Sequence, residues 1–299
     1  MSFIRKFSQT AIETLKQEAL FTHHLYPDIT VGKPREGQKE HSFVFPAVRD
    51  ERIDFYWGGG KIFSYSQSSG FETHYKYASV LLGNTGDYIS EASLRNGKVR
   101  LIENFGDGYE RIKENCERYS GLEALGVSSL YERFSCARSE ASSVVILDIE
   151  ASFAKDERRG KDRIDIVSLD MENGTVRFVE AKHYSNNASL RTASGNPAVV
   201  GQMERYAEQI QKNSHEILEA YQKHVYVINA LFAVKIPEPS SIDPSPILVI
   251  FGFDNEQRAY LKDKIENPLK KGKGLRVYSI GEIKKSDLSV VFRGGKANW

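Results

Sequence analysis

The sequence predicts an α/β (α+β) protein in which a mixed β-sheet flanked by helices follows a smaller β-rich region. The first observation is three consecutive apolar, strand-like segments, and the second is a long stretch of helical spacing after them. The third is a pair of later strand-like runs. In order, the segments are a helix at 129–138, strands at 144–153, 163–169 and 175–181, a helix at 198–223, apolar runs at 225–234 and 247–253, a charged helix at 255–264 and a strand at 275–280. This order is typical of helices packed on a mixed sheet.

Composition limits the classes of protein to which the chain can belong. Its 299 residues are 40% hydrophobic, which is enough to bury a large core. The 41 basic and 40 acidic residues nearly cancel, so binding to nucleic acid would require local patches of charge. Cys116 and Cys136 are the only cysteines, which argues against a disulfide framework or a structural zinc site and fits a reducing cytoplasm.

We expect a soluble, cytoplasmic protein that does not bind membranes. Charged residues interrupt the apolar positions of the first 21 residues, which excludes the continuous apolar core of a signal peptide. No apolar run in the sequence is long enough to span a bilayer.

Two domains are predicted, a β-rich one at 1–105 and a second at 106–299. The first opens with an amphipathic helix at 3–21, and strand-like runs follow at 43–45, 53–57, 61–65 and 99–102. Gly58-Gly59-Gly60 joins two of these runs, and because a strand rather than a helix follows it, the sequence favours a hairpin over a phosphate-binding loop. Core packing is the expected role of most aromatics here, including Phe55, Tyr56, Trp57, Phe63 and Tyr65.

The residues that indicate chemistry lie on the second and third strands of the larger domain. Asn173-Gly174 between two β-rich runs predicts a two-residue type I′ hairpin turn. With that turn Asp165 would face Lys182 and Val167 would face Glu180. Because side chains alternate along a strand, Asp165, Glu180 and Lys182 would then share one face of the sheet.

Two carboxylates and an ammonium group at one place are suited to hydrolysis at phosphorus. Paired carboxylates are the ligands that Mg²⁺ or Mn²⁺ prefers, and these ions keep several waters for exchange. The lysine could orient a water molecule or stabilise charge on a phosphate. The alternative is a solvent-exposed hairpin with weak cross-strand ion pairs. Apolar neighbours argue against this alternative, because they indicate buried strands, in which charged side chains cost free energy unless they are paired or bind a metal. These neighbours are Ile164, Ile166, Phe178 and Val179.

The pattern resembles the RecB-like and lambda-exonuclease-like branch of the PD-(D/E)xK nucleases. The elements that carry the resemblance are Asp165, then Glu180-Ala181-Lys182, then Gln202 and Tyr206 four residues apart on the following helix. It covers residues 129–234 and departs from the family in having Ile164-Asp165 in place of Pro-Asp. Single fragments are unspecific, since Glu282-Ile283-Lys284 is a second Glu-x-Lys and Gln222 to Tyr226 repeats the helix motif. The two repeats lack the order of the first set, with Gln222 and Tyr226 placed across the end of the predicted helix.

The resemblance implies a restriction-endonuclease-like fold and roles for further residues. Gln202 and Tyr206 would contact nucleic acid or support the metal-binding strands. Many members add a metal-binding glutamate from a preceding helix, for which Glu132 is the candidate and Glu150 the substitute. Ser129 to Glu132 is also a capping box, which would explain Glu132 structurally. His183 points to the opposite strand face and is expected to be structural.

The predicted function is a Mg²⁺- or Mn²⁺-dependent nuclease acting on DNA, with catalytic Asp165, Glu180 and Lys182. Basic residues could contact phosphates at two places: Lys155, Arg158, Arg159, Lys161 and Arg163, and Lys270, Lys271, Lys273 and Arg276. One alternative is a catalytically silent nuclease-fold module for nucleic-acid binding or assembly; a metabolic enzyme with an unrelated carboxylate site lacks any supporting motif. The sequence does not distinguish an endonuclease from an exonuclease or a DNA substrate from RNA, and it leaves open whether the protein forms a homo-oligomer. A role in phage defence fits the family.

Overall fold

The described part of the protein contains a six-stranded β-sheet (the larger sheet), a five-stranded one (the smaller sheet), a two-stranded ribbon and helices that cover the sheets. The computed structural model describes residues 3–34, 41–80, 86–96, 101–138, 142–152, 163–192, 196–273, 275–282 and 289–293. Its strands are β1 Lys33–Pro34, β2 His41–Ser42, β3 Phe45–Val48, β4 Ile53–Trp57, β5 Gly60–Ser66, β6 Gly70–His74, β7 Tyr88–Ser90, β8 Val144–Ser152, β9 Arg163–Asp170, β10 Thr175–His183, β11 Ser241–Ile242, β12 Ile247–Phe251 and β13 Arg276–Ile280. Its α-helices are α1 Gln9–Leu15, α2 Tyr26–Thr30, α3 Tyr75–Ala78, α4 Tyr109–Arg118, α5 Leu122–Phe134, α6 Asn187–Leu190, α7 Ala198–Lys212, α8 Ser214–Phe232, α9 Asn255–Leu261, α10 Asn267–Lys273 and α11 Ser289–Phe292.

The larger sheet is mixed, as the sequence predicts. Its strands lie in the order β13-β12-β10-β9-β8, with β11 pairing beside β12 along β10. Strand β9 is antiparallel to both of its neighbours, β8 and β10, whereas β10, β12 and β13 run parallel. Every residue of β12 is buried, as expected of a parallel strand covered on both faces.

The predicted register between β9 and β10 is wrong by two residues. Phe178, not Glu180, faces Val167. The turn has four residues, 171–174, because the Asp170 carboxylate accepts hydrogen bonds from the backbone N–H groups of Glu172 and Asn173. Gly174 has a φ of 65° but Asn173 does not have a positive φ, so the type I′ turn is not formed. A displacement of two residues leaves each side chain on its predicted face.

Two helix boundaries also differ from the sequence prediction. Helix α5 begins at Leu122 rather than near Ser129, and the Ser129 hydroxyl bonds the carbonyl of Gly126 inside the helix. Ser129 and Glu132 therefore do not form a capping box. The long helix breaks at Asn213, and the apolar run at 225–234 mostly continues α8 rather than forming a separate element.

Helices cover both faces of the larger sheet. One apolar cluster contains residues of α7 and α8 together with Val167 and Phe178, and the other contains residues of α5 and α11 with Ile166 and Val179. The first cluster also extends through the amino-terminal region, for example to Phe63. Helix α4 packs on β4 and β5, although the sequence assigns it to the second domain. The predicted boundary at residue 105 stays a prediction.

The smaller sheet is an antiparallel meander in the order β3-β4-β5-β6-β7. Gly58 and Gly59 form the β4–β5 turn with φ values of 52° and 83°, which confirms the predicted hairpin. The five aromatics expected to pack in the core are all buried there. Within the described ranges, no helix has both the length and the apolar character that crossing a bilayer requires.

Candidate active site

The candidate site lies where β9 separates from β10. Their pairing ends at Ile166 and Val179, beyond which β10 continues beside β12. An Asp165 carboxylate oxygen accepts a hydrogen bond from the Ala181 N–H at 2.8 Å, and Glu123 accepts one from the His183 N–H at 3.3 Å. Two carboxylates thus satisfy backbone donors of β10 where its ladder with β9 has ended.

Lys182 is buried among carboxylates. Its Nζ lies 2.5 Å from Glu180 Oε1 and 3.2 Å from Glu123 Oε1. Desolvation lowers the pKa of this amine, but the negative charges of Glu180, Asp165 and Glu123 outweigh burial and raise the pKa above its usual range. Lys182 is therefore a fixed cation at neutral pH.

Helix α7 supplies the two polar side chains that the sequence singles out. Gln202 Nε2 donates to Glu180 Oε1 at 2.8 Å and to the Tyr206 hydroxyl at 2.8 Å. The Tyr206 hydroxyl donates in turn to the carbonyl oxygen of Arg163 on β9. Gln202 therefore holds the Glu180 carboxylate, and Tyr206 ties the helix to the strand that carries Asp165.

The carboxyl groups of Asp165 and Glu180 destabilise each other's charged form. Burial and then the charge of Glu180 raise the pKa of Asp165 well above its usual range, and Lys182 offsets them only in part. Burial likewise raises the pKa of Glu180 despite the adjacent ammonium. A cation bound between two such carboxylates would stabilise their charged forms, and pairs with pKa values perturbed in this way are frequent at functional sites.

The donor set fits a hard divalent cation held by two carboxylates. Glu180 Oε2 is buried and has no hydrogen-bond partner in the described structure, so one oxygen of the pair is unused. Among the described residues no group of three or more His, Cys, Asp and Glu side chains is placed to hold a metal. The Lys182 ammonium lies between Glu180 and the third carboxylate, Glu123. One or two carboxylates completed by waters are the usual protein ligands of Mg²⁺.

The structure does not bring Glu132 or Glu150 to the carboxylate pair. Glu132 lies nine residues after Glu123 in α5, which at 1.5 Å and 100° per residue is about 13 Å further along and on the opposite side of the helix. The backbone of Glu150 lies across the β8–β9 ladder from Asp165, but this residue adopts a φ of 47° and its carboxylate pairs at 3.4 Å with the exposed Arg163. Neither the position of Glu132 nor the ion pair of Glu150 supports a role as the additional metal ligand.

Glu123 is the site residue that the sequence prediction missed. The resemblance called for a glutamate from the helix before the first strand, but placing the start of that helix near Ser129 excluded residue 123. Its signal was its position in the first turn of α5, two residues after the N-cap Gly121, where an acidic side chain interacts favourably with the helix dipole. Gly126 weakened the helical pattern of the sequence at the start of α5. A glycine is required at this position because the Phe251 ring occupies the space that a Cβ would fill.

The remaining candidates take part in local contacts. His183 packs edge-on against Phe251 with 5.4 Å between ring centres, in agreement with a structural role. Gln222 and Tyr226 lie within α8 rather than across its end, and Tyr226 is exposed. Lys270 and Arg276 pair with Glu266 and Asp243. Residues 155–161 and the Ile283-Lys284 part of the second Glu-x-Lys motif lie outside the described residues.

No family model, curated protein or solved structure matches the chain.

Proposed function

We propose that this chain is a metal-dependent nuclease of the PD-(D/E)xK type with a restriction-endonuclease-like core. The observation that carries the proposal is the acidic pair of half-buried Asp165 and buried Glu180, gathered with Lys182 where β9 leaves β10. Burying two carboxylates beside each other costs free energy in the absence of a cation. A site that keeps them there, with Glu180 Oε2 unpartnered, is better suited to binding a metal than to stabilising the fold.

Asp165 and Glu180 would hold Mg²⁺ or Mn²⁺, with the cation supplying Lewis acidity to a phosphodiester. Lys182 places a fixed positive charge beside them, which would stabilise negative charge that develops on the phosphate oxygens. Glu123 and Glu180 hold the amine from two sides, and Gln202 holds Glu180. DNA is the proposed substrate, because the resembling branch cleaves DNA.

The test is cleavage of linear, circular and single-stranded DNA and of RNA with Mg²⁺, with Mn²⁺ or with a chelator. We expect metal-dependent cutting by the wild type and a loss of about 10²–10³-fold in Lys182→Met, which keeps the apolar stem and removes the charge. Lys212→Met, at the exposed end of α7, is the matched control and should cut normally. Cutting that survives chelation or the Lys182 change would contradict the assigned site.

Glu123 is a positioning residue, since it contacts Lys182 rather than the proposed substrate. Glu123→Gln keeps an acceptor for the His183 N–H but removes the charge beside the amine, so we expect cleavage to fall about 10–100-fold. It should also shift the pH profile of cleavage, because one of the charges that raise the Lys182 pKa is gone. Glu132→Gln, on the opposite side of the same helix, should leave both unchanged. Equal losses in the two variants would mean that α5 contributes only stability.

A catalytically silent nucleic-acid-binding or assembly module is the second candidate. Lys182 already neutralises part of the acidic pair within the chain, and this observation favours that candidate. It predicts that Mn²⁺ and Mg²⁺ change neither the thermal stability nor any activity of the protein.

A further inference from the structure

A cavity of about 740 Å³ opens beside the candidate site, between the smaller sheet and the larger one. Tyr56, Lys61 and Tyr88 line it from the smaller sheet, and Glu150, Ser152 and Arg163 from the ends of β8 and β9. Its volume is within the range of ligand pockets, roughly 300–1,000 Å³. This cavity is not part of the predicted site.

Two elements that carry site residues, α5 and β9, also contribute to the cavity wall, and β8 contributes beside β9. Gly121, the N-cap of α5, and Ala124, the residue after Glu123, form part of its wall. Arg163 precedes Asp165 by two residues, and its carbonyl accepts the Tyr206 hydroxyl bond. Glu150 lies between the paired residues Ile149 and Ala151, opposite the stretch of β9 that contains Asp165. The cavity wall itself does not include Glu123, Asp165 or Glu180, so a molecule bound in the cavity would have to extend along α5 or β9 to reach the site.

Positive charge predominates on the wall. Six basic side chains line the cavity against three acidic ones, namely Arg5, Arg49, Arg52, Lys61, Lys76 and Arg163 against Asp50, Asp54 and Glu150. Most of these cations have carboxylate partners: Asp148 engages Arg5 and Arg49, Asp54 lies 2.9 Å from Arg52 and 3.6 Å from Lys61, and Glu150 pairs with Arg163. Lys76 has no carboxylate partner among the described residues. The wall therefore favours an anion.

Tyrosine rings alternate with these cations. Lys61 Nζ lies 4.4 Å from the centre of the Tyr88 ring, and Lys76 Nζ lies 5.0 Å from that of Tyr119. Both rings are exposed to solvent, Tyr88 by 44% and Tyr119 by 39%. Aromatic surfaces beside basic side chains are the means by which proteins bind single strands, with bases stacked on the rings and phosphates at the cations.

We propose that this cavity binds a single-stranded segment of the nucleic acid and delivers it to the carboxylate site. The inference rests on the proposed nuclease function and names its substrate class. A cavity of this volume accepts one or two nucleotides but not a double helix, in which stacked and paired bases are closed to tyrosine rings. An intact duplex would have to open before it was cut.

The test measures binding and cleavage separately on the full chain. In chelator, the binding of fluorescein-labelled oligothymidylate is followed by anisotropy, alone and annealed to oligodeoxyadenylate. We expect the single strand to bind about tenfold or more tightly than the duplex, and Lys76→Glu to weaken single-strand binding about tenfold or more. Tyr88→Ser should weaken it about five- to tenfold through lost stacking. Lys212→Glu, an equal charge change at the exposed end of α7, should bind as the wild type does.

The same oligonucleotides are then incubated with Mg²⁺. If the wild type cleaves DNA but the Lys76 and Tyr88 variants bind it as tightly as the wild type does, the cavity is not the binding site. The nuclease proposal would then stand. Binding that depends on both residues without any cleavage would support the cavity and overturn the nuclease. Equal affinity for single strand and duplex would overturn the proposed substrate class.

Discussion

Replacing Asp148 by alanine is expected to lower the free energy of unfolding by about 3–5 kcal/mol. Asp148 is fully buried in β8, and its oxygens lie 2.8 Å from Arg5 Nε and 2.5 Å from Arg49 Nη1. The Tyr221 hydroxyl also donates to it at 3.2 Å. The substitution leaves the Arg5 guanidinium without its counter-charge in a water-poor environment. It also removes the nearer of two carboxylates beside Arg49, the other being Asp54 at 3.5 Å. Urea denaturation of both proteins measures the loss.

Asp50→Ala is the matched control, because Asp50 adjoins Arg49 but pairs with Lys6 at the surface at 3.7 Å. It should cost less than about 1 kcal/mol. Equal effects would show that the buried cluster contributes no more than a surface ion pair.

The same cluster predicts a pH dependence. Burial alone would raise the pKa of Asp148, but Arg49 and Arg5 outweigh it and lower the pKa to about 2. Because the folded pKa lies below the ordinary value of about 3.9, the carboxylate contributes stability above pH 4 and loses it as the pH falls towards 2. The stability difference between wild type and Asp148→Ala should therefore shrink over that interval. A constant difference down to pH 2 would contradict the assignment.

Asp165→Asn is expected to remove cleavage, by about 10²–10³-fold, without lowering stability. An asparagine oxygen can still accept the Ala181 N–H bond, while the repulsion between Asp165 and Glu180 disappears. Since the folded pKa of Asp165 is raised, its ionised form opposes folding at neutral pH, and its removal should leave the Tm equal to or above that of the wild type. Asp263→Asn, at an exposed position, should change neither cleavage nor Tm. A variant that loses both activity and stability would point to a structural role.

The sequence was sufficient to predict strands β9 and β10 and the sheet face that carries the site. It did not predict the register of these two strands, and it did not identify Glu123 as a site residue. Alternation fixed which side chains of β9 and β10 point together, and an error of two residues does not alter that relation. The turn was misjudged because the Asp170 side chain caps it, a contact between neighbours that propensity rules do not weigh against Asn-Gly.

Helix starts are harder to predict because packing can override local preference. Gly126 lowers helix propensity between Leu122 and Ser129, yet the close approach of Phe251 makes glycine favourable there. The earlier start brings Glu123 to Lys182. The cavity between the sheets depends on tertiary contacts between residues more than a hundred positions apart, for which a single sequence holds no periodic signal.

The most direct test of the account is a calorimetric titration of Mn²⁺ into the wild type and into Asp165→Asn, since it does not depend on finding the right substrate. If Asp165 and Glu180 form a metal site, the wild type should give a saturable heat and the variant should bind about tenfold or more weakly. No binding to the wild type, or identical binding to both proteins, would contradict the metal-dependent nuclease.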